Sequence, residues 1–145
     1  MKITKEYIMN NTYFNIWAIK YDDADCHIYC EHIGKSEEYL SKRAMKIHQD
    51  ATSFFGDNEG QIAVDALLNS EKFAERVVAL VESNFYGSIP FVVTCDNVIG
   101  HGVGVDGIRF EAVKARFFLS FKGRSYINKH TRMPFKTCLV YPKRS

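Results

Sequence analysis

Apolar positions recur along this chain in two rhythms, and the expected architecture follows from where one gives way to the other. In residues 13–20, YFNIWAIK, apolar and polar positions alternate closely enough to predict a strand. The acidic cluster Asp22, Asp23 and Asp25 then makes a turn into a second strand, CHIYCEHI, so an N-terminal hairpin is expected. Ser36 is placed to cap a helix in which Leu40, Ala44, Ile47, Ala51 and Phe54 recur three or four residues apart, a stripe that runs on until Gly56. The next apolar run, IAVDALL, fits a helix or a short buried strand equally well. Ser70 and Glu71 open a further helix with Phe73, Val77, Leu80 and Val81 on one face and a stop near Gly87. PFVVT then reads as a strand whose first residue, Pro90, sits where a missing N–H is tolerated.

The longest strand candidate spans 108–122, IRFEAVKARFFLSFK, and its alternation changes phase near Ala112 and Val113, which predicts a bulge. Phe110 before it, and Val113, Ala115, Phe117, Leu119 and Phe121 after it, form the expected core face. Glu111, Lys114, Arg116, Phe118, Ser120 and Lys122 are expected to face outward. Short strands follow toward TCLVYP. With no internal repeat or linker, residues 1–145 read as one α+β domain, a mainly antiparallel sheet with two or three helices packed on one face.

Composition supports a globular protein: 46% of residues are hydrophobic, and eleven Phe with eight Tyr supply a substantial core. Four cysteines at uneven spacing and no long apolar N-terminal run lead to the expectation of a cytoplasmic protein with reduced thiols. No apolar stretch approaches the ~18 residues of a membrane span.

Charge changes the picture more. From Arg109 onward ten Lys or Arg face one acid, a net of +9, while the preceding residues carry nine bases against sixteen acids, a net of −7. The overall +2 conceals a strongly dipolar chain whose basic pole attracts polyanions or acidic protein faces. Cations beside an aromatic that can stack a base are what a single-stranded nucleic acid requires, so Lys114, Arg116, Phe118 and Lys122 form the candidate nucleic-acid surface. Arg124, Lys129 and Arg132 extend it from neighbouring segments. The expected partner is nucleic acid or a nucleoprotein, in the manner of a viral or mobile-element accessory factor, with an acidic protein surface as the alternative for the same pole.

Other constellations are weaker. The stretch NVIGHGVGVDG reads as a loop whose Gly100, Gly102 and Gly104 allow close approach of backbone N–H groups to a ligand, with His101 as a candidate acid or base. A strand, not a helix, is predicted to follow it, so the dinucleotide-binding fingerprint fails and a hairpin needing positive φ angles accounts for the glycines. Cys26 and Cys30 in an extended segment lie about 13 Å apart, too far to share a zinc, which leaves only Cys30 and His32 on one face. Glu111 and Lys114 are spaced to opposite faces of a strand unless the bulge corrects them, which disfavours a metal-dependent nuclease pair. No metal and no cofactor is expected.

Several segments in order, Thr4-Lys5-Glu6, YFNIWAI, Glu59 ahead of IAVDALL, FAERVVALVESNF running into PFVVT, and GVDGIRFE, resemble phage-encoded S-adenosylmethionine lyases. That resemblance implies an anti-restriction enzyme in which the residue at Glu59 takes part in the chemistry. The basic C-terminal segment has no counterpart in it.

Overall fold

A computed structural model of the chain describes residues 2–22 and 31–145. Among these the elements run α1 (Lys5–Met9), α2 (Ile16–Asp22), α3 (Glu37–Ile47), β1 (Ala51–Phe54), α4 (Asp57–Leu68), α5 (Glu71–Glu82), β2 (Tyr86–Thr94), β3 (Gly100–Val103), β4 (Arg109–Ala112), β5 (Lys114–Lys122) and β6 (Phe135–Lys143). The class is α+β and all strand ladders are antiparallel. The strands divide into two sheets, β1-β3-β4 and β2-β5-β6, and five labelled helices, where two or three were expected, pack against them.

Local chemistry explains most elements. Ser36 and Ser70 cap α3 and α5, their hydroxyls accepting from the N–H groups of Tyr39 and Phe73 at 3.1 and 3.2 Å. IAVDALL lies within α4, burying Ala63, Val64 and Leu67 on one face. The predicted strand over 13–20 is instead helical from Ile16. The Asn15 side-chain oxygen accepts from Ala18 N at 2.9 Å, and Ile16 and Ile19, three apart, are both buried. Most of the expected partner strand CHIYCEHI lies outside the described residues, and of the rest Glu31 and His32 are helical rather than extended.

The helix from Ser36 stops at Ile47, because His48 adopts the left-handed conformation (φ 57°, ψ 36°) that ends a helix. Ala51 and Phe54, which extend the apolar spacing of α3, therefore belong to the fully buried strand β1. Pro90 lies inside β2 opposite Phe118 rather than at the strand's start, tolerated because β2 is an edge.

The run over 108–122 departs furthest from expectation. It is two strands, β4 and β5, separated at Val113 and belonging to different sheets. The bulge lies instead on the β5–β6 ladder, beside Phe118 and Leu119. The expected alternation within β5 is present: Ala115, Phe117, Leu119 and Phe121 are buried among α4, α5 and the N-terminal helices, and the even-numbered residues face away from that core. A smaller cluster of Leu40 and Ala44 on Ala51 and Val103 fixes α3 to the first sheet.

The glycine-rich stretch is likewise not a loop over its first half. Gly100 to Val103 is β3, the central strand between β1 and β4. Its glycines are required by close approach: a Cβ on Gly100 would press into the Ser53 carbonyl and sit 2.9 Å from Pro142 Cγ. A Cβ on Gly102 would strike the Phe110 ring and lie 2.9 Å from the Ala51 carbonyl. Only Gly107, in the β3–β4 turn, has a positive φ, at 81°.

Two predictions follow from this packing. Gly100→Ala is expected to destabilise the protein by about 1–3 kcal/mol through overpacking where the two sheets meet. Unchanged urea unfolding would refute the close contact. In addition, burial and the neighbouring Asp96 raise the Cys95 thiol above its ordinary pKa, while Cys138 is exposed. Iodoacetamide at neutral pH should therefore alkylate Cys138 well before Cys95, and peptide mapping that finds the reverse order would contradict the placement of both.

Candidate anion-binding cleft

Where the two sheets meet, α3, β1, β5 and β6 enclose a cleft of about 400 Å³. Its polar lining includes His32, Arg43, Thr52, Arg116, Tyr141 and Lys143. Each is placed by a different part of the fold. Residues 33–35 run beside β1, directly after the helical residues Glu31 and His32: Ile33 bridges Phe54 in parallel, Gly34 N donates to the Phe54 carbonyl at 2.9 Å, and Lys35 N donates to Ser53 Oγ at 3.0 Å. This holds His32, 8% exposed, with Nδ1 2.9 Å from the Thr52 carbonyl. A carbonyl oxygen can only accept, so Nδ1 carries a proton. The imidazole also stacks on Tyr141, with centroids 5.5 Å apart.

Arg43 reaches the cleft from α3, one position before Ala44, and is ion-paired with Glu31. Arg116 comes from β5, and its Nη1 donates to the Tyr141 hydroxyl oxygen at 3.1 Å. That bond leaves the Tyr141 O–H itself as a donor. The Nε–H groups of both Arg43 and Arg116 are buried with no hydrogen-bond partner among the described residues. A buried unsatisfied donor costs on the order of 1–3 kcal/mol, and two such donors belong to guanidinium groups that line this one cleft. Lys143 and Arg144 add positive charge, of which Asp50 offsets part at 3.6 Å from Arg144. The arrangement suits a tetrahedral oxyanion, for which guanidinium forks are well shaped.

Of the residues singled out from the sequence, Arg116 and His32 lie in this cleft. Lys114, Phe118 and Lys122 share the Arg116 face of β5, with Phe118 stacked on Tyr141 at 6.4 Å and Lys122 Nζ 5.5 Å above the Tyr126 ring. Arg124 and Lys129 are exposed in the β5–β6 connection. Arg132, at φ 57°, lies 4.2 Å over the Tyr13 ring and lines a separate groove with Tyr7 and Asn11. The structure therefore does not gather the seven candidate nucleic-acid residues into one patch.

His101 Nε2 is 2.9 Å from the Lys35 carbonyl and its ring packs on Phe55. Gly100 and Gly102 are buried in β3, and Gly104 begins the turn. Glu59 lies half-buried in the first turn of α4, away from the cleft lining. Cys26 and Cys30 lie outside the described residues. Among those described, no three His, Cys, Asp or Glu side chains converge as metal ligands, and no helix is long and apolar enough to cross a membrane.

Sequence reasoning missed Arg43 and Tyr141, and read His32 only as a metal ligand. Arg43 sits in the acidic portion of the chain, and nothing local connects it to β6.

No family model matches this chain, and no curated protein matches it. Among solved structures, a chain of the crystal structure of the CdiA-CT/CdiI complex from Y. kristensenii 33638 is similar in fold. The TM-score is 0.64 at 16% sequence identity, over 81% of this chain and 98% of that one. The likeness shows a shared α+β architecture.

Proposed function

We propose that this protein binds single-stranded RNA by its phosphodiester backbone in the cleft and cleaves it there. The observation that carries the reading is the pair of guanidinium Nε–H groups of Arg43 and Arg116, without a hydrogen-bond partner among the described residues, beside an imidazole whose Nδ1 is held 2.9 Å from the Thr52 carbonyl. RNA brings its own nucleophile, the 2′-hydroxyl, so the protein has only to move protons and hold the phosphate. His32 Nε2 takes the proton from the 2′-hydroxyl as its oxygen attacks phosphorus. The bond from phosphorus to the 5′-oxygen opens, and that oxygen takes a proton from the Tyr141 hydroxyl. Arg43 and Arg116 balance the charge that builds on the phosphoryl oxygens during the exchange. The products are a 2′,3′-cyclic phosphate and a free 5′-hydroxyl.

The test is incubation of an oligoribonucleotide with purified protein and mass analysis of the fragments. Fragments ending in cyclic phosphate are expected from RNA, and none from the matching DNA. His32→Gln should slow cleavage about 10²–10⁴-fold, the usual worth of a general base, while still binding the DNA strand with its salt dependence intact. A wild-type protein that neither cleaves RNA nor binds either strand in a salt-sensitive way would overturn the reading.

A second reading, binding of a protein partner, is favoured by a different surface. Tyr13, in the turn before α2, and Trp17 and Tyr21, four residues apart on α2, are 52%, 52% and 79% exposed, and Arg132 covers the first of them. Exposed Trp, Tyr and Arg side chains are the residues that most often anchor protein interfaces. The structural neighbour, too, comes from a complex of two proteins. This reading predicts that a discrete protein copurifies in stoichiometric amount after nuclease treatment, and that Trp17→Ala with Tyr21→Ala releases it. Retention by the double variant would count against that surface.

A further inference from the structure

The cleft opens onto the solvent-facing side of the β2-β5-β6 sheet, and the composition of that side is one-sided. Across it run Lys114, Arg116, Phe118, Ser120 and Lys122 from β5. Opposite them stand Thr94, Val92, Pro90, Ser88 and Tyr86 on β2 and Lys143, Tyr141, Leu139 and Lys136 on β6. No residue in these three rows is a carboxylate. Lys114, Lys122 and Lys136 form no ion pair among the described residues, although the chain carries as many as seventeen acids. Apolar and aromatic groups are interleaved with the cations: Tyr86 is 68% and Val92 47% exposed, and the Phe118 ring continues the stack of His32 on Tyr141 out of the cleft.

A sheet face kept soluble by lysines needs no aromatic rows, and a protein-binding face of this charge would need an acidic partner along its whole length. Cations alternating with stacking surfaces, continuous with a phosphate cleft, match a single strand of nucleic acid. Resting on the function proposed above, we infer that this face is an extended track for the substrate strand, with Phe118 and Tyr86 stacking bases and Lys122 and Lys136 holding phosphates beyond the cleaved bond. A nine-residue strand such as β5 spans about 27 Å at ~3.4 Å per residue, room for several nucleotides. The track makes the protein selective for unpaired RNA longer than a dinucleotide, because a duplex hides the base faces that the aromatics would stack.

The test compares a dinucleotide substrate with a 2′-O-methyl decamer, which lacks the attacking hydroxyl and reports binding alone. The wild type should bind the decamer far more tightly than a 2′-O-methyl dinucleotide. Lys122→Ala combined with Lys136→Ala should lower the slope of log affinity against log salt for the decamer by about 1.4, at ~0.7 per phosphate contact, while dinucleotide cleavage proceeds as in wild type. Phe118→Ala should weaken decamer binding roughly 5- to 150-fold, the range for one stacked base, with Phe118→Tyr restoring it. Dinucleotide cleavage with equal affinity for both lengths, or with an unchanged salt slope in the double lysine variant, would overturn the track and leave the cleft reading standing. Absence of both cleavage and decamer binding would remove both.

Discussion

The crossing at Val113 governs the shape of this molecule, because there one extended run leaves the β1-β3-β4 sheet and enters β2-β5-β6. Two backbone hydrogen bonds hold the junction: Ile99 N donates to the Ala112 carbonyl at 2.8 Å, and Cys95 N to the Val113 carbonyl at 2.7 Å. A few residues away Pro142 of β6 packs against Gly100 of β3, where no side chain fits. These contacts set the two sheets against each other with a cleft between them. His32 and Thr52 approach the cleft from the first sheet, Arg116 and Tyr141 from the second.

Electrostatics then decides which cations remain available. The acidic front portion of the chain does neutralise part of the basic pole: Glu37 contacts Arg109 at 3.0 Å and Asp50 contacts Arg144 at 3.6 Å. The first pair lies at β4 and the second at the rim of the cleft, and both are substantially exposed, so each contributes little to stability. Within the cleft Glu31 pairs with Arg43 and Asp50 with Arg144, so the cations left there without an ion pair among the described residues are Arg116 and Lys143 in the cleft and Lys114, Lys122 and Lys136 on the outer face of the second sheet. A field of that kind draws polyanions in before any specific contact forms.

How much of this was legible in the sequence depended on whether the deciding interaction was local. Ser36 and Ser70 announced two helix starts because capping is a matter of three residues. The alternation in β5 was equally readable, since a half-buried strand writes its burial directly into its sequence. The N-terminal segment misled because YFNIWAIK is rich in aromatic and β-branched residues, while the helical cue, Asn15 ahead of Ile16 and Ile19, is shorter than one full turn of pattern. The α3 stripe ran on through Ala51 and Phe54 by coincidence of spacing, and the stop at His48 carries no Gly or Pro to mark it. Gly100 and Gly102 looked like a loop because the sequence does not show what approaches them, which is the neighbouring backbone, Phe110 and Pro142. Of the site, the charge split pointed to β5 and to Arg116. It could not supply Arg43 or Tyr141, since their meeting depends on the sheet crossing and on how α3 docks.

The central claim, that the cleft and the sheet face beside it hold an RNA strand, is tested most directly by photo-crosslinking the protein to oligoribonucleotides carrying 4-thiouridine and mapping the attached peptides. The account predicts adducts on His32, Phe118, Tyr86 and Tyr141, competed away by unlabelled RNA. Adducts confined to the Tyr13, Trp17 and Tyr21 side of the molecule, or none above a non-binding control, would contradict it.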